Sequence, residues 1–86
     1  MVVKNADRIR QFVNKKYIEP ARATGQSEVL IRARDVHRDM GLRNRMPAVC
    51  SALDAKKFEK RSMVKLKERF GPPQSSSVVW IFSILP

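Results

Sequence analysis

Eighty-six residues allow one domain with a single small core, and a hydrophobic share of 43% is too high for a chain that stays disordered throughout. Eighteen Lys and Arg against eight Asp and Glu leave a net charge of +10 and a pI near 10.7. Such a surplus repels itself in the compact state and attracts polyanions, with nucleic acid the usual partner at this pI.

The first predicted element is a helix over residues 5–24. Asn5 can cap it and Asp7 lies in its first turn. Ile9, Phe12, Val13 and Tyr17 recur at helical spacing as one apolar stripe, with Arg8, Arg10, Lys15 and Lys16 mostly off it. Pro20 lacks a backbone N–H and crowds the preceding turn, so the helix kinks or restarts there, and Gly25 is a stop. Residues 28–32, EVLIR, read as a brief strand that must pair with something. Residues 33–41 read as a second helix with Ala33, Val36 and Met40 on one side. Gly41 ends it in the left-handed conformation and Leu42 enters the core.

A third helix is predicted over residues 44–56. Asn44 is its expected N-cap, and Pro47 is tolerated in a first turn whose N–H groups lack intrahelical acceptors. Met46, Val49, Cys50 and Leu53 form the buried stripe, leaving Ala48, Ser51, Ala52 and Ala55 outward. KKFEKRS, residues 56–62, either extends this helix or forms a connecting turn. In residues 63–70, Val64, Leu66 and Phe70 alternate with Lys65, Lys67 and Arg69, as in a half-buried strand with a basic outer face. GPPQSSS, residues 71–77, is a loop, and VVWIFSIL, residues 78–85, is a strand by propensity. That last strand is apolar on both faces. Trp80 and Phe82 read as core or interface; one face packs on the helices, and the other, carrying either Val79 and Ile81 or Trp80 and Phe82, calls for a partner, expected to be a second copy in a homodimer.

The order is helix, short strand, helix, turn, helix, strand, loop, strand. With the pattern RARDVHRDMGLRNRMPAVCSAL, it resembles the winged helix-turn-helix DNA-binding superfamily over residues 5–85. The resemblance implies an α+β fold in a single domain, residues 1–86: three helices and a small antiparallel sheet with a C-terminal β-hairpin wing. It makes helix 44–56 the recognition helix, with its first turn at the major groove. Arg43, Asn44 and Arg45 then stand where arginine pairs with guanine and asparagine with adenine. Ser51 on the outer face, Lys56 and Lys57 beyond it, Lys65, Lys67 and Arg69 on the hairpin stem and Gln74 at the wing tip complete the expected nucleic-acid contacts. The alternative for the stem is a basic edge that prevents strand-to-strand aggregation. Small outward residues on the helix argue for phosphate-dominated binding with modest base specificity.

The expected function is therefore double-stranded DNA binding, by a small transcription regulator or a chromatin-type architectural protein, cytoplasmic and nucleoid-associated. The alternatives are an RNA-binding or ribosome-associated winged helix and a winged-helix protein-interaction module. No enzyme, metal or cofactor is expected. The chain lacks a glycine-rich phosphate loop and a Ser-His-Asp set, and Cys50 with His37 cannot supply a four-ligand zinc site. A lone cysteine suits a reducing compartment. No membrane contact is expected: the N-terminus reaches charge before any apolar run, and VVWIFSILP is shorter than the about 20 residues a spanning helix needs.

Overall fold

The computed structural model describes residues 5–73 and 75–86. The chain forms α1 (Asn5–Val13), a π-helical turn (Asn14–Ile18), α2 (Glu19–Ala23), β1 (Glu28–Arg32), α3 (Ala33–Asp39), α4 (Met46–Asp54), α5 (Lys56–Ser62), β2 (Val64–Phe70) and β3 (Val79–Ile84). This is a mixed α+β fold in which the helices cover one face of a three-stranded antiparallel sheet of order β1-β3-β2. No described helix is long and apolar enough to cross a membrane.

The helix expected over 5–24 restarts near Pro20, as its sequence implies. Without an N–H, proline cannot continue the α ladder. The chain widens just before it, the Glu19 N–H reaching the Asn14 carbonyl, and α2 restarts with the proline in its first turn. The wide turn also displaces the buried stripe. Val13 and Ile18, five positions apart, are both fully buried, while Tyr17 is only half-buried. Arg10, expected off the stripe, is buried: its Nε donates to the Ala52 carbonyl at 3.0 Å and a terminal nitrogen to Asp7 at 2.9 Å.

Residues 56–62 form a separate helix. Ala55 is extended (ψ 140°), which breaks the chain between α4 and α5. Phe58 of α5 is fully buried and meets Phe82 edge-on, with ring centroids 5.2 Å apart. The core joins these rings to Ile9, Val36, Val49, Leu53 and Trp80. Phe12, Leu42 and Leu66 pack against it while keeping part of their surface exposed.

The strict alternation expected of residues 63–70 fails at one position. Leu66 lies opposite Phe82, but Glu68, not Lys67, lies opposite Ile81, so Lys67 is the extra residue of a β-bulge. Every later residue changes face. Phe70 stands on the outer face opposite Val79, half exposed, and Arg69 lies opposite Trp80 on the face that packs against the helices. With Leu30 opposite Ile81, the outer face carries Leu30, Val79, Ile81 and Phe70.

Two measurements check this packing. Leu53→Ala should cost about 2–5 kcal/mol in urea denaturation, the range for deleting a buried leucine side chain, and could approach the whole stability of so small a domain. A loss below about 1 kcal/mol would contradict the burial. Tyr17, the only tyrosine, donates its hydroxyl to Asp39 at 2.9 Å. Burial first, and then the bond to this carboxylate, push its pKa from 10.0 to about 12. The neutral phenol thus stabilises the fold fully below pH 10.0, and that contribution is lost as pH rises towards about 12. Tyrosinate absorbance of the folded protein should titrate near 12, and Asp39→Asn should bring the midpoint down. A midpoint near 10.0 in the wild type would show that the Tyr17–Asp39 bond is absent in solution.

Candidate nucleic-acid interface

The turn between α3 and α4 fixes how α4 is presented. Gly41 takes the left-handed conformation (φ +67°), as its sequence position implies. Its N–H bonds to the Arg38 carbonyl at 2.9 Å and that of Leu42 to His37 at 3.0 Å, the paired bonds of a Schellman motif. Leu42 thereby anchors the turn against the core. Asn44 does not cap α4, contrary to expectation. It is itself left-handed (φ +51°), a conformation asparagine tolerates better than most residues, and the N-cap position belongs to Arg45, which makes no side-chain cap bond. Instead the Nε2 of His37 accepts the Arg45 N–H at 3.2 Å. The Asn44 side chain is thus not spent on the helix. Arg43, Asn44 and Arg45 are all exposed at the opening of α4.

The outward face of α4 is narrower than expected. Ala52 is fully buried, its carbonyl occupied by Arg10, and Ala48 is half-buried. Pro47, Ser51 and Asp54 are the exposed positions of this helix.

Asp54 ties that helix to the hairpin. Arg69 binds it with two nitrogens, Nε at 2.8 Å and a terminal nitrogen at 3.1 Å, and the Trp80 indole N–H donates to the same carboxylate at 2.7 Å. The other terminal nitrogen of Arg69 donates to the Gly71 carbonyl at 3.1 Å, and the guanidinium lies 6.0 Å from the Trp80 ring centre. Arg69, expected among the nucleic-acid contacts, is thus engaged inside the protein because the bulge turns it inward. Lys67 is ion-paired with Glu28, whose carboxylate raises the ammonium pKa. Lys65 is exposed, and its side chain has no hydrogen bond or ion pair among the described residues. Gln74 lies outside the described residues.

The remaining charges divide unevenly. Asp7, Glu19, Glu28, Asp35, Asp39, Asp54 and Glu59 each accept a hydrogen bond or ion pair from this chain, leaving Glu68 without one among the described residues. Among the cations, Lys57 reaches Asp7 at 3.8 Å, whereas the side chains of Arg43, Arg45, Lys56, Lys60 and Arg61 have no such partner among the described residues.

The sequence reading missed two arginines. Arg32 and Arg34 line a cleft of about 220 Å³ with Ser76, Ser77 and Val79, beside the loop between β2 and β3. Both are exposed and make no ion pair among the described residues. The sequence requires only that the strand at 28–32 pair with something; its antiparallel register on β3 sets Arg32 against Val79 at the loop end.

Comparison with known proteins finds no matching family model, curated relative or solved structure.

The Asp54 junction makes a direct prediction. Asp54→Ala strands the buried Trp80 N–H and the Arg69 guanidinium, and should destabilise the fold by about 1–3 kcal/mol in urea denaturation. Stability equal to wild type would show that neither group depends on this carboxylate.

Proposed function

We propose that the chain is a winged-helix domain that binds duplex DNA chiefly through phosphates. The observation that carries this reading is the charge partition: acids are consumed within the fold while exposed arginines and lysines keep their charge for an external polyanion. The order of elements and the strand order β1-β3-β2 support the architecture, with α3 and α4 as the helix-turn-helix and residues 71–77 as the wing.

The contact set differs from the one predicted in sequence. Arg43, Asn44 and Arg45 stay at its centre, joined by Lys56 at the start of α5 and Lys65 near the start of β2. Arg32 and Arg34 supply beside the wing the charge that Arg69 spends on Asp54. Base reading rests on Asn44 and Arg45, because Pro47 and Ser51 offer little to a base edge. That balance favours an architectural role over that of a selective regulator.

Binding to duplex DNA measured across salt concentrations tests the proposal. If roughly half of the six cations (Arg32, Arg34, Arg43, Arg45, Lys56, Lys65) or more touch phosphate at once, log K should fall with log salt at a slope of about −3 to −6. Lys65→Ala should reduce that slope by about one. Arg69→Ala should lower stability and leave the slope unchanged. Absence of duplex binding at about 0.15 M salt would reject the reading. Tighter binding to structured RNA than to duplex DNA would move the protein to the RNA-binding alternative.

A further inference from the structure

Two clefts adjoin along the exposed side of α1. One, of about 220 Å³, lies between Arg8 and Ile9 on α1 and Leu42, Arg45 and Ala48 near the opening of α4. The other, of about 390 Å³, follows Arg8, Phe12 and Lys15 along the helix. Arg8 and Met40 border both, so the two form one groove running beside residues 5–16. At about 1.5 Å per residue this is roughly 17 Å, the length of a three-turn helix.

Floor and rim differ in chemistry. Phe12, Met40 and Leu42 pack on the core yet keep part of their surface exposed. Arg8, Lys15 and Arg45 are exposed along the rim, and their side chains have no hydrogen bond or ion pair among the described residues. Lys16 stands over the Phe12 ring at 5.6 Å and reaches Asp39 at 3.3 Å. Asp39 is also held by Tyr17 and Arg38, and no Asp or Glu lines either cleft. A phosphate backbone would use the rim but gains nothing from a floor of phenylalanine, methionine and leucine. A partner with aliphatic side chains on one side and carboxylates beside them would use both.

We propose that this groove docks an acidic amphipathic helix of a partner protein. Aliphatic residues spaced along one face of that helix seat over Leu42, Met40 and Phe12, and flanking Asp or Glu side chains pair with Arg45, Arg8 and Lys15. The flexible thioether of Met40 adapts the middle of the floor to the side chain it meets. The cationic rim steers the acidic helix in and sets its direction. Docking does not depend on duplex binding. Because Arg45 belongs to both surfaces, a docked helix and a duplex exclude one another there.

The test uses the full chain and a labelled probe peptide of about four helical turns. Leucines occupy one face of the probe and glutamates the remainder; the control is the same composition scrambled. The amphipathic probe should bind saturably and at least about tenfold more tightly than the scrambled one, a difference of about 1.4 kcal/mol. It should shift the Met40 methyl and Phe12 ring signals. Arg8→Glu and Lys15→Glu should each weaken the probe severalfold, Arg8→Lys should retain most of the affinity, and Arg61→Glu on α5 should leave it unchanged. Equal binding of the two peptides would reduce the effect to bulk charge and overturn the proposal. So would shifts confined to other surfaces, affinities indifferent to Arg8 and Lys15, or duplex DNA that shifts Met40 and Phe12 as the probe does.

Discussion

The Asp54 carboxylate is the joint on which the arrangement of α4 and the hairpin depends. It accepts two hydrogen bonds from Arg69 on β2 and one from the buried indole of Trp80 on β3, at the last residue of α4. One carboxylate thus fixes the end of a helix against two strands. The joint exists only because of the bulge at Lys67. Strict alternation would send Arg69 to the outer face and bring Phe70 inward. The extra residue instead leaves Phe70 half exposed and gives the protein an internal bidentate pair.

The charges follow from the same economy of contacts. A small domain has few elements with which to cover polar groups, and its carboxylates serve as ties. Asp7 holds Arg10, Asp39 holds Tyr17 and Arg38, Glu28 holds Lys67, and Glu59 accepts the Leu66 N–H. With the acids committed, the exposed Arg32, Arg34, Arg43, Arg45, Lys56 and Lys65 present a field of one sign. Exposed pairs such as Lys67–Glu28 add little stability, but they remove a cation from that field.

Much of this was legible in the sequence, and the exceptions have physical causes. The left-handed Gly41 and the hairpin follow from spacing and residue type, whereas a strand apolar on both faces did not disclose that Trp80 and Phe82, not Val79 and Ile81, turn inward. The break near Pro20 was legible as well, but the π turn that absorbs it was not. It shifts the buried position from Tyr17 to Ile18, and an α-helical period cannot foresee that. The bulge left one trace in the sequence, Glu68, a charged residue at the position that strict alternation would turn inward. Asn44 was misassigned because a residue that favours caps also tolerates the left-handed turn just before one. At the candidate interface, Arg43, Asn44, Arg45 and Lys65 stand exposed as expected. Arg69 was lost to Asp54, and Arg32 and Arg34 emerge only once the strand register is known.

On the proposed reading, the exposed cations around the opening of α4 and beside the β2–β3 loop form one polyanion-binding face. Residue-resolved amide shifts during a titration with duplex DNA test it most directly. The expected result is shifts at Arg43–Arg45, Arg32–Arg34, Ser75–Ser77 and Lys65, with the junction of Asp54, Arg69 and Trp80 unmoved. Shifts confined to Leu30, Ile81 and Phe70 on the outer sheet face, or no shifts at any site, would contradict it.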